Sequence, residues 1–180
     1  MPPPPPPPSF GGPPPPGYQP YQQVQQTPQF ASWGTRVGGH IINGLVAIVF
    51  YLPAVIAFLA GPKERTDCTI NGEPGTCTLP TGPGWAIIAV LGVVGIVAYF
   101  VMYSRMVANT GQAWGHKAVG VRIVDATTGG NIGAGKAFFR LLIGHWIDGL
   151  VCYLGYLWPL WDAKKQTFAD KIFSTYSIKV

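Results

Sequence analysis

The chain has 180 residues, of which 48% are apolar and 11% are charged, with a formal net charge of +5. A soluble domain carries about 25% charged residues, so this composition argues against an ordinary soluble protein. The net charge is small and no basic helix or aromatic RNA-binding motif occurs, so no nucleic-acid partner is expected. The apolar residues are concentrated in long runs, which indicates a multi-pass protein with the lipid bilayer as its surroundings.

Residues 1–30 are predicted to be a disordered Pro-rich tail. Proline fills positions 2–8 and 13–16, and a Gln-rich and Tyr-containing stretch follows. Proline lacks the backbone donor that helices and sheets need, so the tail should sample extended polyproline conformations. It could serve as a spacer, which is the preferred interpretation. Alternatively, it could bind an aromatic-lined groove or promote clustering.

Residues 31–180 are predicted to form one membrane domain. Apolar runs at 37–60 and 84–108 are long enough to cross a hydrocarbon core of about 30 Å. A third run at 137–161 is too short for two full crossings, so it either crosses once or enters and returns. A re-entrant segment needs cover from protein. The predicted fold class is therefore an all-α membrane protein, a small multi-pass helical bundle with two clear spans plus a third or re-entrant segment.

The segment between the two clear spans, residues 61–83, is predicted to be a polar loop. It contains Cys68 and Cys77, which are the candidates for a local disulfide. Two free thiols are the alternative. A disulfide would place this loop in an oxidising, extracytoplasmic compartment. The cysteine spacing fits no zinc motif, and no metal site or cofactor is predicted.

The distribution of basic residues predicts the topology. The 61–83 loop is net acidic, whereas the 105–140 region and the segment after Trp161 are rich in lysine and arginine. The positive-inside rule places both basic regions and the N-terminal tail in the cytoplasm, and the cysteine loop outside. A strand at TYSIKV could pair with a strand at VRIVD, which would also require that both lie on one side. A cytoplasmic C-terminal end is therefore favoured.

Two similar heptapeptides place polar residues inside apolar runs: GHIINGL at 39–45 and GHWIDGL at 144–150. They reflect either an internal repeat or convergence on a helix-packing pattern. Within each run the polar residues share one helix face, because they are spaced three or four positions apart. The predicted intramembrane polar site consists of Arg36, His40, Asn43, Arg140, His145 and Asp148.

Ionisable groups in the membrane are costly, so these faces should turn inward and find partners. In one interpretation they form a shared site that binds a cation or carries a proton, with Asp148 as its carboxylate. In the other, which is favoured, Arg36 pairs with Asp148 while the histidines and Asn43 make hydrogen bonds that fix helix packing.

Two longer stretches resemble the RDD family of bacterial membrane proteins. They are GQAWGHKAVGVRIVDATTGGNIGAGKAFFRLL and WDAKKQTFADKI, and the resemblance spans residues 33–180. With its Pro-rich head and the loop that contains two of its cysteines, the chain is similar to the proline-rich antigen group of mycobacterial RDD proteins. The resemblance implies a helical domain in the inner (plasma) membrane without a settled activity, transport being the usual conjecture.

The resemblance also assigns motif positions. Arg36 matches the family arginine at the start of the first span, and Asp148 matches a frequent family aspartate. Asp162 and Asp170 match the aspartates of the family's tail motif. Asn43 stands where the family places an aspartate, so any chemistry that needs that carboxylate is in doubt here.

No enzyme motif occurs: a nucleophile elbow, a P-loop, a zinc-protease motif and a carboxylate pair are all missing from the sequence. The chain is therefore expected not to be an enzyme. The favoured function is a membrane adaptor or accessory subunit that binds protein partners or forms a homo-oligomer. The alternative is transport of an ion or small solute through the intramembrane polar site.

Overall fold

The computed structural model of the chain describes residues 29–150 and 154–180, except for the side chains of His145 and Leu150. The predicted disordered tail, residues 1–30, therefore lies almost entirely outside the described residues. The rest is mainly helical, with two small two-stranded sheets. The predicted helical membrane fold is confirmed.

Two long helices form the membrane-spanning part. Helix α1 runs from Trp33 to Ala60 and helix α2 from Gly82 to Thr110, and both are long and apolar enough to cross a membrane. Both begin a few residues before the apolar runs because a polar side chain caps the first turn. The Ser32 hydroxyl accepts from the Thr35 amide, and the Thr81 hydroxyl accepts from the Gly84 amide.

The two spans pack as an antiparallel pair with one point of very close approach. A Cβ added at Gly95 would lie 2.3 Å from the carbonyl oxygen of Phe50. Towards the start of α1, the Tyr99 hydroxyl donates to the Asn43 carbonyl at 3.4 Å. Because Gly95 has no side chain, the two helices can approach this closely, as helices do at small residues in membrane bundles.

The prediction of a polar loop at 61–83 is wrong in detail, because most of these residues form a β-hairpin. Strand β1, Lys63–Ile70, pairs antiparallel with strand β2, Glu73–Pro80. The turn is Asn71-Gly72 with φ of 54° and 90°, the left-handed pair of values that a two-residue hairpin turn requires. Cys68 and Cys77 form the predicted disulfide across this hairpin.

The opposite end of the α1–α2 pair carries the second sheet. The short helix α3, Trp114–Ala118, leads into strand β3, Val121–Asp125, which pairs antiparallel with strand β4, Thr175–Lys179. The predicted pairing of VRIVD with TYSIKV is therefore confirmed. Residues 29–31 also join this sheet, since the Ala31 amide donates to the Ser177 carbonyl at 2.9 Å. The start of α1, the end of α2 and both strands thus share one end of the molecule.

The third apolar segment is bent rather than straight. Helix α4 runs from Ala134 to Leu150, helix α5 from Leu154 to Leu157, and a 3₁₀ turn from Trp158 to Leu160. The two parts meet at 101° across residues 151–153, which lie outside the described residues. Gly155 packs onto α4, where an added Cβ would lie 2.5 Å from Cα of Asp148. The third segment is therefore either a broken span or a re-entrant loop, and the chain continues through helix α6, Phe168–Ile172, to strand β4.

Candidate functional site

Arg36, Arg140 and Asp170 form an ionic triad in the interior of the described chain. Asp170 is 0% exposed. Its Oδ2 lies 2.6 Å from the Arg36 guanidinium, and its Oδ1 lies 2.5 Å from the Arg140 guanidinium. One carboxylate thus joins α1, α4 and α6, and the triad carries one net positive charge.

Local structure fixes the Asp170 carboxylate in place. Asp170 is the third residue of α6, and it forms a capping box with Thr167: the Asp170 amide donates to the Thr167 hydroxyl at 3.1 Å, and the Thr167 amide donates to Asp170 Oδ2 at 3.3 Å. The Thr175 hydroxyl, on strand β4, donates to Oδ1 at 2.9 Å. Thr167 and Thr175 therefore hold the carboxylate in place in addition to the two arginines.

Asp170 remains ionised because of its two arginines. Burial alone would raise its pKa, but the charges of Arg140 and Arg36 outweigh burial and lower the pKa to about 2. Arg36 also donates from Nε to the Ala31 carbonyl at 3.2 Å and from Nη2 to the Ser177 carbonyl at 3.3 Å. The triad therefore ties the first span to the β3–β4 sheet.

The predicted pairing of Arg36 with Asp148 is wrong, since Arg36 pairs with Asp170. Asp148 is 4% exposed, and its Oδ1 accepts from the Ala169 amide at 3.0 Å. It thus caps the start of α6 from the neighbouring helix α4. Asp170 was matched only to the family tail motif; the Thr-x-x-Asp capping pattern at 167–170 is the signal that could have placed it at a helix start.

Asn43 acts as a packing group between α1 and α3. It is 4% exposed, and its Oδ1 accepts from the Gly115 amide at 2.7 Å. The two backbones approach so closely that a Cβ at Gly115 would lie 2.0 Å from the Gly39 carbonyl oxygen. Among the described residues, the Asn43 amide nitrogen has no hydrogen-bond partner. Asn43 therefore offers an amide nitrogen with unused N–H groups inside the bundle.

The histidines form a separate group beside the triad. The ring of His40 lies 6.0 Å from that of His116 and 5.8 Å from that of Tyr156, centroid to centroid. Burial, then His40 and the two arginines, lower the pKa of His116 to about 3, so its ring is neutral at physiological pH. Sequence patterns missed His116, because it lies in a short helix with no apolar periodicity. The side chain of His145 lies outside the described residues.

A cavity of about 450 Å³ opens between α1, α2 and α4, beside the triad. Most of its lining is apolar or aromatic, including Ile41, Tyr99, Phe100, Leu142 and Trp146; Arg36, His40 and Asn43 are among the polar residues that reach it. A smaller void of about 50 Å³ adjoins it and is lined by Asp148, His116 and Arg140, among others. Within the described ranges, no group of three metal-binding side chains occurs.

The second aspartate of the tail motif has a local structural role. Asp162 accepts from the amides of Lys164 and Gln166 at 3.0 and 3.1 Å, and it pairs with Lys171 at 2.6 Å. Burial would raise its pKa, but the hydrogen bonds from Lys171 and these amides lower it. Asp162 thus shapes the turn that leads into α6 and holds that helix by its Lys171.

Comparison with known proteins identifies the domain. The model of the RDD family matches residues 30–174. The proline-rich antigen of Mycobacterium leprae is 33% identical over 155 residues, which cover 84% of this chain and 61% of that protein. The proline-rich antigen homolog of Mycobacterium tuberculosis (strain CDC 1551 / Oshkosh) is 41% identical over 88 residues, which cover 48% of this chain and 36% of that protein.

The chain spans less than two thirds of the length of these relatives, and no solved structure matches it. The family model nevertheless covers the two long helices, the β3 strand and all three members of the ionic triad. The predicted resemblance is confirmed: the chain belongs to the RDD family and is a membrane protein.

Proposed function

We propose that the chain is an adaptor or accessory subunit of the plasma membrane. The ionic triad is the observation that carries this proposal. Both arginines are paired with Asp170. Arg36 also donates to the Ala31 carbonyl and Arg140 to the Thr175 hydroxyl, so these charges serve the architecture of the domain. A fixed ion pair of this kind is unsuited to binding and releasing an ion on each transport cycle.

The outer surface of the two spans supports a partner in the membrane. Both helices expose apolar side chains along their length, among them Ile48, Val55, Val90 and Val97. Two spans and one bent segment enclose little volume of their own. Protein partners or further copies of the chain could pack against these faces, with the Pro-rich tail recruiting others. The proposal assigns no enzymatic activity to the chain.

The sidedness of the proposal follows from charge. The end that carries α3, β3 and β4 contains most of the basic residues, including Lys117, Arg122 and Lys136, whereas the disulfide-bonded hairpin lies at the other end. The positive-inside rule supports a cytoplasmic position for the basic end and the N-terminal tail. The disulfide supports an extracytoplasmic position for the hairpin.

The test is to crosslink and purify the intact complex from membranes. We expect stoichiometric protein partners or defined homo-oligomers with the full chain. A matched variant in which a Gly/Ser segment of equal length replaces residues 1–28, and leaves residues 29–31 of the sheet intact, should lose the partners that the tail recruits and keep those that pack on the spans. A monomer that crosslinks to nothing, at native expression level, would rule out the adaptor role.

Transport of an ion or small solute is the second candidate, and the void beside Asp148 favours it. In Asp148→Asn the remaining amide oxygen can still accept from the Ala169 amide, so the domain should assemble. A transporter that uses this carboxylate would lose flux in proteoliposomes while its protein level and assembly persist. An adaptor would show no flux with either form of the chain.

A further inference from the structure

We propose that the cavity between α1, α2 and α4 binds one anionic phospholipid of the surrounding membrane, with an acyl chain inside the cavity. This site would operate whether the chain is an adaptor or a transporter. The inference rests on the shape of the cavity, an unused donor within it, and the charge at its wall.

The shape and lining of the cavity suit an acyl chain. Its volume of about 450 Å³ falls within the ~300–1,000 Å³ of small-molecule pockets, which are mostly apolar with a few polar groups. Ile41 and Trp146 line it and are 59% and 73% exposed, so the cavity is open at the surface of the helices. Because those outer faces of a membrane protein meet lipid, a chain can enter sideways from the bilayer.

Asn43 provides a donor that lacks an acceptor. Its amide cannot be turned around, because its oxygen is required by the Gly115 N–H group. The amide nitrogen therefore remains the donor, buried in a cavity wall and without a partner among the described residues. An unsatisfied donor is costly inside a membrane, where bulk water is excluded. A small shift of the cavity wall would let an ester or phosphate oxygen of a lipid satisfy it.

The positive charge of Arg36 at the cavity wall favours an anionic headgroup. Arg36 lines the cavity, and none of the described residues that line it is a carboxylate. The triad behind it carries one net positive charge, from two arginines and Asp170. Basic pockets between membrane helices bind anionic headgroups, and a small inorganic anion would leave the apolar part of the cavity unfilled.

Two glycines supply a matched pair of variants. Gly44 lines the cavity, and a Cβ added there meets nothing within 4 Å, so Gly44→Leu fills the cavity without a backbone clash. Gly92 in α2 is equally open but does not line the cavity, so Gly92→Leu is the control. A third variant, Asn43→Asp, keeps the oxygen that accepts from Gly115 and removes the donor.

The experiment uses the full chain in nanodiscs that contain phosphatidylglycerol or phosphatidylcholine with a photoreactive group on the acyl chain. We expect labelling of peptides containing residues 40–44 and 141–146, with phosphatidylglycerol favoured about fivefold, the ratio that ~1 kcal/mol per basic residue gives. Gly44→Leu should lose this labelling and Gly92→Leu should keep it. Asn43→Asp should lose the preference for phosphatidylglycerol.

Three results would overturn the proposal. Equal labelling of Gly44→Leu and the wild type would place the lipid outside the cavity. Equal labelling by the two lipids in the wild type would exclude recognition of an anionic headgroup. A protein crosslinked to the same two peptides in native membranes would make that protein the occupant. Melting curves confirm that each variant is folded before it is labelled, and Asn43→Asp keeps the test decisive if Gly44→Leu does not fold.

Discussion

At the scale of single residues, Asp170 is the carboxylate on which two buried guanidinium groups depend. Removal of one partner from a buried ion pair costs more than the pair contributes, because a charge is then left without compensation. Here the loss of the Asp170 carboxylate would leave both Arg36 and Arg140 without their counter-ion. The position tolerates little chemical change for this reason.

We expect Asp170→Asn to lower the free energy of unfolding by about 3–5 kcal/mol, the usual cost of breaking a buried ion pair. The control is Asp67→Asn, which changes an exposed carboxylate of the β1–β2 hairpin and should leave stability almost unchanged. Thermal melting of both purified variants in detergent measures the difference. If the two variants have the same melting temperature, the triad does not stabilise the domain.

His116 predicts a pH dependence. Its pKa falls from the ordinary ~6.5 to about 3 on folding, so between these values the unfolded chain binds a proton that the folded chain excludes. The stability that the neutral ring contributes is complete above pH ~6.5 and is lost as the pH falls through this window.

In His116→Asn the amide oxygen can take the place of Nδ1, which faces the Ala113 amide at 3.5 Å, and no titrating ring remains. We therefore expect the melting temperature of the wild type to drop more than that of His116→Asn between about pH 7.5 and pH 5. Parallel curves for the two proteins would contradict a buried neutral ring.

The sequence indicated which polar residues of the apolar runs are buried, but it did not indicate which residues they pair with. Arg36, Arg140 and Asp148 were predicted to be polar groups within the apolar runs, and all three are buried or nearly so. The wrong partner for Arg36 has a physical cause. Helical spacing relates residues along one helix, whereas Asp170 lies on a short helix 134 positions away that only the folded chain brings close.

At the scale of helices and strands, glycines determine the packing. Gly95 brings α2 against α1, Gly39 and Gly115 bring α3 against α1, and Gly144 lies where an added Cβ would be 2.8 Å from that of Ala169. Gly39 and Gly144 are the first residues of the two heptapeptides. The similarity of the heptapeptides thus reflects two close helix contacts, each with a different partner element.

Gly95→Ala should therefore push the two spans apart. The new methyl group would meet the Phe50 carbonyl oxygen at 2.3 Å, and overpacking of this kind costs about 1–3 kcal/mol. Gly92→Ala adds the same methyl group one turn earlier, where nothing lies within 4 Å, and should be neutral or slightly stabilising. Comparison of the two melting temperatures separates packing from helix propensity. A Gly95→Ala protein at least as stable as Gly92→Ala would refute the close contact.

Hydropathy predicted the long helices well, because a run of about twenty apolar residues is the length that a helix needs to cross a membrane. The β1–β2 hairpin was missed although Asn71-Gly72 is a strong turn signal. Its strands are mostly exposed and carry Glu64, Arg65 and Asp67, so they lack the alternating apolar pattern by which strands are recognised. The bend of the third segment brings Gly155 against Asp148, a contact between two helices that helical spacing along one of them does not encode.

At the scale of the whole molecule, the two ends of the α1–α2 pair differ in chemistry. One end holds the disulfide-bonded hairpin, and the other holds the basic sheet to which residues 29–31, β3 and β4 all contribute. Since β4 pairs with β3, residues 121–125 and 175–179 must lie on the same side of any membrane that the spans cross.

We expect a reporter that is active only in the cytoplasm to be active when fused after Val180. A membrane-impermeant thiol reagent applied to intact cells after mild reduction should label Cys68 and Cys77. A cysteine introduced as Lys117→Cys should be labelled only after the membrane is permeabilised. An inactive reporter together with external labelling of Lys117→Cys would invert the proposed topology.

The ionic triad also imposes an order on biosynthesis. Arg36 enters the membrane with the first span, yet its carboxylate partner is translated 134 positions later. Until Asp170 is in place, Arg36 and Arg140 lack the carboxylate with which both are paired in the folded domain. The triad can therefore form only after the chain that makes both long helices has been synthesised. A chain that ends before residue 170 contains both long helices but lacks the carboxylate that joins α1 to α4.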